Sequence, residues 1–198
     1  MFSYVRSVSF GAGLMAGRDG GELGNIMQSS FEGLIVVMGV SGCGKSTIGM
    51  ALAECLNAEF VDGDDLHPAS NKQKMTSGVP LNDSDREPWL SAICDRAGEV
   101  LADRSCFIVA CSALKKIYRQ QLRSVSHPVA FLHLRAAQSV IAERQAARKG
   151  HFMPTGLLDS QYETLESPAG EPSVIEIFVD QTVEQILDEA MARLTKLK

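Results

Sequence analysis

The stretch Gly39-Val40-Ser41-Gly42-Cys43-Gly44-Lys45-Ser46 follows directly on the apolar run Leu34–Met38 and precedes a helix-like segment, Ala51–Leu56. The Gly-x4-Gly-Lys-Ser spacing constrains the chain to a strand, a tight turn and a helix in that order. Glycines at 39, 42 and 44 let the backbone curl so that successive N–H groups point inward. Together with the positive N-terminal end of the following helix, those groups form a cradle for phosphate oxygens. In such a cradle Lys45 bridges the β- and γ-phosphates and the Ser46 hydroxyl is placed to ligate Mg²⁺, with Thr47 adding a further hydroxyl. The whole loop, Gly39, Val40, Ser41, Gly42, Cys43, Gly44, Lys45, Ser46 and Thr47, is therefore the expected nucleotide contact, with ATP and Mg²⁺ as its ligands.

Composition sets the outer bounds. A chain of 198 residues with 45% hydrophobic content buries one good core. Its net charge of −5 argues against a nucleic-acid binder, and no apolar stretch approaches the ~20 residues of a membrane helix. Five cysteines at 43, 55, 94, 106 and 111, without a C-x-x-C pair, signal neither a disulfide framework nor a zinc site, which suits a reducing cytoplasm. Residues 1–30 are different in kind: six glycines, scattered serines and no sustained period read as a flexible extension. Residues 31–198 form the expected domain.

From Gly33 onward, short apolar runs alternate with helical patterns: Leu34–Met38, Glu59–Val61, Cys106–Ala110, Val129–Leu134 and Val174–Val179. Strands separated by helices imply a parallel α/β sheet of five strands. A helix is expected over residues 87–101, with Pro88 near its N-terminus, and another carries Val183, Ile186, Leu187, Ala190 and Leu194 on one face.

Open parallel sheets bind ligands beyond the carboxyl ends of their strands, so the residues just after each run are the candidates. After the second run stands Asp62-Gly63-Asp64-Asp65-Leu66-His67-Pro68. Three carboxylates beside a phosphate site repel a nucleotide unless a metal or a substrate hydroxyl offsets them. Metal or water ligation is assigned to Asp62 and hydroxyl activation to Asp64. The third run is followed by Cys111-Ser112-Ala113-Leu114-Lys115, with no carboxylate where many phosphate-loop NTPases hold their metal-ligating Asp. That favours small-molecule kinases over motor and signalling NTPases. After the fourth run, Arg144 and Arg148 lie four apart on one helical face and are candidates to neutralise charge during phosphoryl transfer. The following Gly150-His151-Phe152-Met153-Pro154 breaks the helix and could hinge a lid.

Taken together, GVSGCGKS, Phe60–Leu90, Cys111–Arg123 and Arg148–Pro168 resemble the gluconokinase family, relatives of shikimate and adenylate kinases. The likeness runs from Leu34 to Lys198, and its DGD-x-LHP, PWL and HFMP stretches are the specific part. The resemblance implies a three-layer phosphate-loop kinase fold, with a small substrate-binding helical excursion at about 63–90 and a lid at about 148–166. It implies ATP-dependent phosphorylation of D-gluconate to 6-phospho-D-gluconate in carbohydrate acid degradation, and a homodimer. Gln120 and Arg135-Ala136-Ala137 depart from the family pattern without removing a group the chemistry needs.

Gluconate presents a carboxylate, which calls for a cation among Arg86, Lys115, Arg119 and Arg123, and hydroxyls that Asp64, His67 and Asn71 can bind, with His151 a further candidate. Shikimate or a nucleoside monophosphate is the competing acceptor, and a non-catalytic ATP-binding switch is the competing class. Since residues 1–30 carry neither core pattern nor chemistry, a chain beginning at Met27 should keep the full catalytic rate and melting temperature. A large loss of either, measured side by side with the full chain, would show that the extension packs or contributes to the site.

Overall fold

Strand β1 (Gly33–Met38) is buried along its whole length and sits at the centre of the sheet, which accounts for its unbroken apolar sequence. The computed structural model describes residues 31–147 and 155–197, with side chains described for all but 144–147 and 155–157. The expected extension 1–30, Arg148 and His151 lie outside the described residues.

After β1 come α1 (Lys45–Leu56), β2 (Glu59–Asp62), a 3-10 turn (Gly63–Leu66), α2 (Ala69–Thr76) and α3 (Asp83–Leu101). The chain continues through β3 (Cys106–Ala110), α4 (Lys116–Leu122), β4 (Val129–Arg135), α5 (Gln138–Ala147), α6 (Thr155–Thr164), β5 (Val174–Phe178) and α7 (Val183–Leu194). All five strands are parallel, in the order β2-β3-β1-β4-β5. The five apolar runs of the sequence are these five strands, to within a residue at most ends.

Alternation along β1 builds two cores, one on each face of the sheet. Ile35 and Val37 point to a layer with Ile48 and Leu52 of α1 and Ile186, Leu187, Ala190 and Leu194 of α7. Leu34, Val36 and Met38 point the other way, onto Trp89, Leu90 and Ile93 of α3 and Tyr118 and Leu122 of α4. Helix, sheet and helix form the three expected layers. No helix among the described residues is long and apolar enough to cross a membrane.

Helix α3 starts at Asp83, four residues before the expected start. Asn82 accepts the Asp85 amide while the Asp85 carboxylate accepts the Asn82 amide, a reciprocal cap that satisfies two orphan donors. Pro88 consequently lies inside the helix, where it has no N–H to offer the Ser84 carbonyl.

The segment between α6 and β5 is tied down by a buried arginine. Arg119 of α4 has no solvent exposure, and it donates to Glu171 through Nη2 (2.6 Å) and Nε (3.1 Å). It also donates to the carbonyls of Ala113, Leu114 and Glu166 at 2.9, 2.9 and 3.0 Å. Arg123 adds a 3.0 Å contact to the second Glu171 oxygen. Hydrogen bonds from Arg119, then from Arg123, hold the Glu171 carboxyl below the usual carboxylate range, against the opposing effect of burial. Removing one partner of such a pair strands the other charge. Arg119→Leu should therefore lose about 3 kcal/mol in urea denaturation at neutral pH, with Glu171 left leaning on Arg123 alone. A loss below about 1 kcal/mol would mean the network contributes little to folding.

Candidate active site

The loop leaving β1 has the backbone shape that phosphate binding requires. Gly39 takes φ 138°, and a Cβ there would stand 2.7 Å from the Leu134 carbonyl oxygen and 2.9 Å from Cys43 Sγ. Gly44, at φ 99°, closes the loop as the residue before α1. Because α1 begins at Lys45, the amides of Lys45, Ser46 and Thr47 fall in its first turn, and the first internal bond is Ile48 N–H to Gly44 O (2.9 Å). No side chain caps this end and no acidic residue stands in the first turn. The result is a helix terminus with free donors and no built-in anion, which attracts negative charge. Lys45 folds over its own loop, donating from Nζ to the Val40 carbonyl at 3.0 Å. Cys43 is buried beneath the loop.

Asp62 joins this loop to the acidic turn. It is the last residue of β2, and Oδ2 accepts from Ser46 Oγ at 2.6 Å while Oδ1 accepts the Asp64 amide at 3.1 Å. Two hard oxygens from Ser46 and Asp62 thus stand together beside the free amides. That donor set fits Mg²⁺, which takes one or two protein oxygens and completes its shell with water and phosphate.

Asp64 follows on the 3-10 turn. Its carboxyl is pushed above the usual range, first by desolvation and then by Asp62, with Asp65 adding and Lys45 and Arg86 opposing. The side chain itself is 83% accessible, so water screens that shift and keeps it modest. Behind it, His67 stacks on Trp89 with ring centroids 4.1 Å apart, and Trp89 Nε1 donates to the Gly63 carbonyl at 2.6 Å. Burial, helped by the charges of Arg86 and Lys72, lowers His67 to about 4, so the ring is neutral near pH 7.

The protonation of that ring follows from its neighbour. Asn71 Nδ2 meets the Asp85 carbonyl oxygen at 2.6 Å and His67 Nδ1 at 3.2 Å. A carbonyl oxygen can only accept, so Nδ2 is correctly placed and its second hydrogen goes to His67 Nδ1. Nε2 therefore carries the ring proton, and it lies 3.9 Å from Asp64 Oδ1. Asn71, expected to meet a substrate hydroxyl, instead has both amide hydrogens engaged and is 2% exposed. It orients His67.

The four candidate cations divide in the same way. Arg119 and Arg123 are committed to Glu171, so the expectation that they meet a ligand gives way to a framework role. Lys115 Nζ lies 2.6 Å from Asp83, which also accepts from the Tyr118 hydroxyl. Those hydrogen bonds, from Lys115 first and Tyr118 second, hold Asp83 below the usual carboxylate range. Arg86 stands 5.8 Å from the Tyr118 ring centroid and forms no ion pair among the described residues. Its charge nevertheless acts on Asp64, His67 and Asp83, which locates it among them.

Arg144 lies on α5, but its side chain is outside the described residues, as are Arg148 and His151 altogether. Two contributors escaped the sequence reading. The Asn82-x-x-Asp85 cap has a recognisable spacing and could have been found. Gln161 of α6 accepts the Ser41 amide at 2.6 Å across 120 residues of chain, and no local pattern announces it.

A parallel sheet with this loop at its central strand defines a phosphate-loop nucleotide-binding domain, and the AAA domain family matches residues 34–168. The thermoresistant gluconokinase of Escherichia coli K12 is 43% identical over 166 residues, 83% of this chain and 95% of that protein. A crystal structure of a gluconokinase from Sinorhizobium meliloti 1021 superposes with a TM-score of 0.77 at 48% identity, covering 85% of this chain and 94% of the other. The shikimate kinase of Aquifex aeolicus shares the fold, with a TM-score of 0.52 at 15% identity over 82% of this chain and 96% of the other. The chain belongs to the gluconokinase family.

Proposed function

We propose that this protein transfers the γ-phosphoryl group of ATP to the 6-hydroxyl of D-gluconate, as a phosphotransferase with an alcohol acceptor. The observation that carries the reading is a free-donor helix terminus joined to the acidic turn: Ser46 in the first turn of α1 donates to Asp62, which in turn accepts the Asp64 amide. Similarity to gluconokinases over most of the chain supports the choice of acceptor.

In this reading the amides from Gly44 to Thr47 hold the phosphates, and Lys45 exchanges the Val40 carbonyl for phosphate oxygen. Ser46 and Asp62 would hold Mg²⁺, which when bound neutralises charge on the transferring group. Asp64 accepts the proton of the 6-hydroxyl as that oxygen forms its bond to phosphorus and the bond to the leaving ADP oxygen breaks. His67, neutral and with its Nε2 proton toward Asp64, orients that carboxylate or a sugar hydroxyl without adding charge. Arg86 receives the gluconate carboxylate, since Lys115, Arg119 and Arg123 already have carboxylate partners. Arg144 and Arg148, as groups that close over the phosphates, and His151, as a substrate contact, rest on the sequence alone. A homodimer in the cytoplasm, and residues 1–30 as an extension outside the kinase domain, complete the proposal.

The test is ADP production with gluconate, its epimers, shikimate and nucleoside monophosphates as acceptors. Gluconate should give the highest kcat/KM, and Arg86→Gln should raise the gluconate KM while leaving that of ATP within about twofold. ADP release indifferent to any acceptor would instead mark a switch.

Asp64→Asn keeps the shape and loses the base, so kcat should fall at least tenfold, toward the low end of the ~10²- to 10⁴-fold range because a loose phosphoryl transition state needs little base help. The base works ionised, and its pKa is raised. Activity should thus fall as pH drops through a limb lying above the ordinary carboxylate range, and His67 should contribute no limb near 6.5. Retention of more than about a tenth of wild-type kcat at saturating gluconate would remove Asp64 from the role of general base.

A further inference from the structure

We propose that Gln161 is a positioning residue for the phosphate loop: its side-chain carbonyl accepts the Ser41 amide and sets the curvature of the loop's leading arm, Gly39 to Gly44. Three glycines in that arm have positive φ, so the sequence gives the backbone little preference of its own there. Two of the arm's backbone contacts are long. Gly39 N–H reaches the Ser112 carbonyl at 3.3 Å and Cys43 N–H reaches Val40 at 3.4 Å, both near the weak limit of a hydrogen bond. The Lys45 contact to Val40 is one that nucleotide binding draws away. At 2.6 Å the Gln161 contact is the shortest of these.

An anchor has to be fixed itself, and helix α6 is. Leu158 is buried in the core, and Tyr162 donates from its hydroxyl to the Ala136 carbonyl at 3.1 Å, just beyond β4. Gln138 of α5 donates to Asp159 at 2.6 Å, and the Glu166 amide, following the helix, bonds the Leu114 carbonyl at 3.0 Å. The chemistry of the side chain suits its place as well. A carboxamide oxygen accepts an amide hydrogen without bringing a charge, whereas a carboxylate there would repel a polyphosphate. Gln161 thereby registers α6 against the loop, and the shape of the nucleotide site depends on a helix far away in the chain.

The inference rests on reading this loop as the nucleotide site, and not on the identity of the acceptor. Its test is calorimetric binding of Mg²⁺–ADP to wild type, Gln161→Met and Gln161→Glu, with kcat and both KM values measured on the same samples. Methionine keeps length and packing but cannot accept the amide. Its dissociation constant should rise about 3- to 10-fold, the worth of one neutral hydrogen bond, with little dependence on salt and the gluconate KM within about twofold of wild type. Glutamate keeps the acceptor and adds charge, so its weakening should fade as ionic strength rises.

Gln161→Met binding ADP as tightly as wild type, or more tightly, would overturn the proposal; the tighter result would make the carboxamide a competitor for a phosphate position. Equal increases in both KM values together with a lowered melting temperature would reduce Gln161 to a general structural role, and also overturn it. Failure of wild type to bind Mg²⁺–ADP would instead overturn the reading of the loop, and the positioning role with it.

Discussion

The unsatisfied amides at the start of α1 are the constraint from which the site follows. A helix of 12 residues leaves its first N–H groups without acceptors, and here no side chain caps them and no acidic residue stands in the first turn. Burying that end without a ligand is costly, so it must open onto a crevice. The sheet supplies one. With β1 between β3 and β4, the chain leaves the central strand where the connections to either side diverge, and the carboxyl ends of the neighbouring strands surround the loop. β2 brings Asp62 to Ser46 on one side, and β4 brings the Leu134 carbonyl under Gly39 on the other.

Charge is balanced across that crevice rather than concentrated. Desolvation, then the charges of Asp62 and Asp65, raise the affinity of Asp64 for a proton, while Lys45 and Arg86 act against them. The carboxyl so produced sits nearer to neutrality than an ordinary surface aspartate. That is the condition for a group that accepts a proton late in a transfer and returns it to solvent. His67 beside it has been removed from the titration by burial against Trp89, and the Asn71 amide fixes its tautomer. A charged imidazole would compete with Arg86 for the same carboxylates; a neutral one only directs a hydrogen bond.

Much of this was legible in the sequence because it is local. Central strands β1 and β3, buried along their whole length, are apolar throughout and could be read directly, whereas edge strands β2 and β5 keep an apolar pair or alternation around Glu59, Asp62 and Glu176. The phosphate loop was legible because glycine and lysine spacing within eight residues fixes the turn. Asp62 and Asp64 were legible because they follow the run ending at Val61 by one and three positions. The start of α3 was misplaced for a readable reason: Pro88 suggested a first turn, whereas the Asn82–Asp85 cap sets the start.

What the sequence by itself determined, then, is a parallel α/β sheet, the cradle at its central strand and the acidic turn beside it, all products of short-range pattern. Tertiary structure decided which polar side chains are free. Arg86, Lys115, Arg119 and Arg123 look alike in a sequence, yet Glu171 takes two of them and Asp83 a third. Asn71 looks like a ligand contact until Asp85 and His67 are seen to take its hydrogens, and Gln161 looks like nothing until Ser41 is found beneath it. A side chain's chemistry is written in its residue type. Whether that chemistry is already satisfied depends on partners up to 120 residues away, and only folding brings them within hydrogen-bond distance.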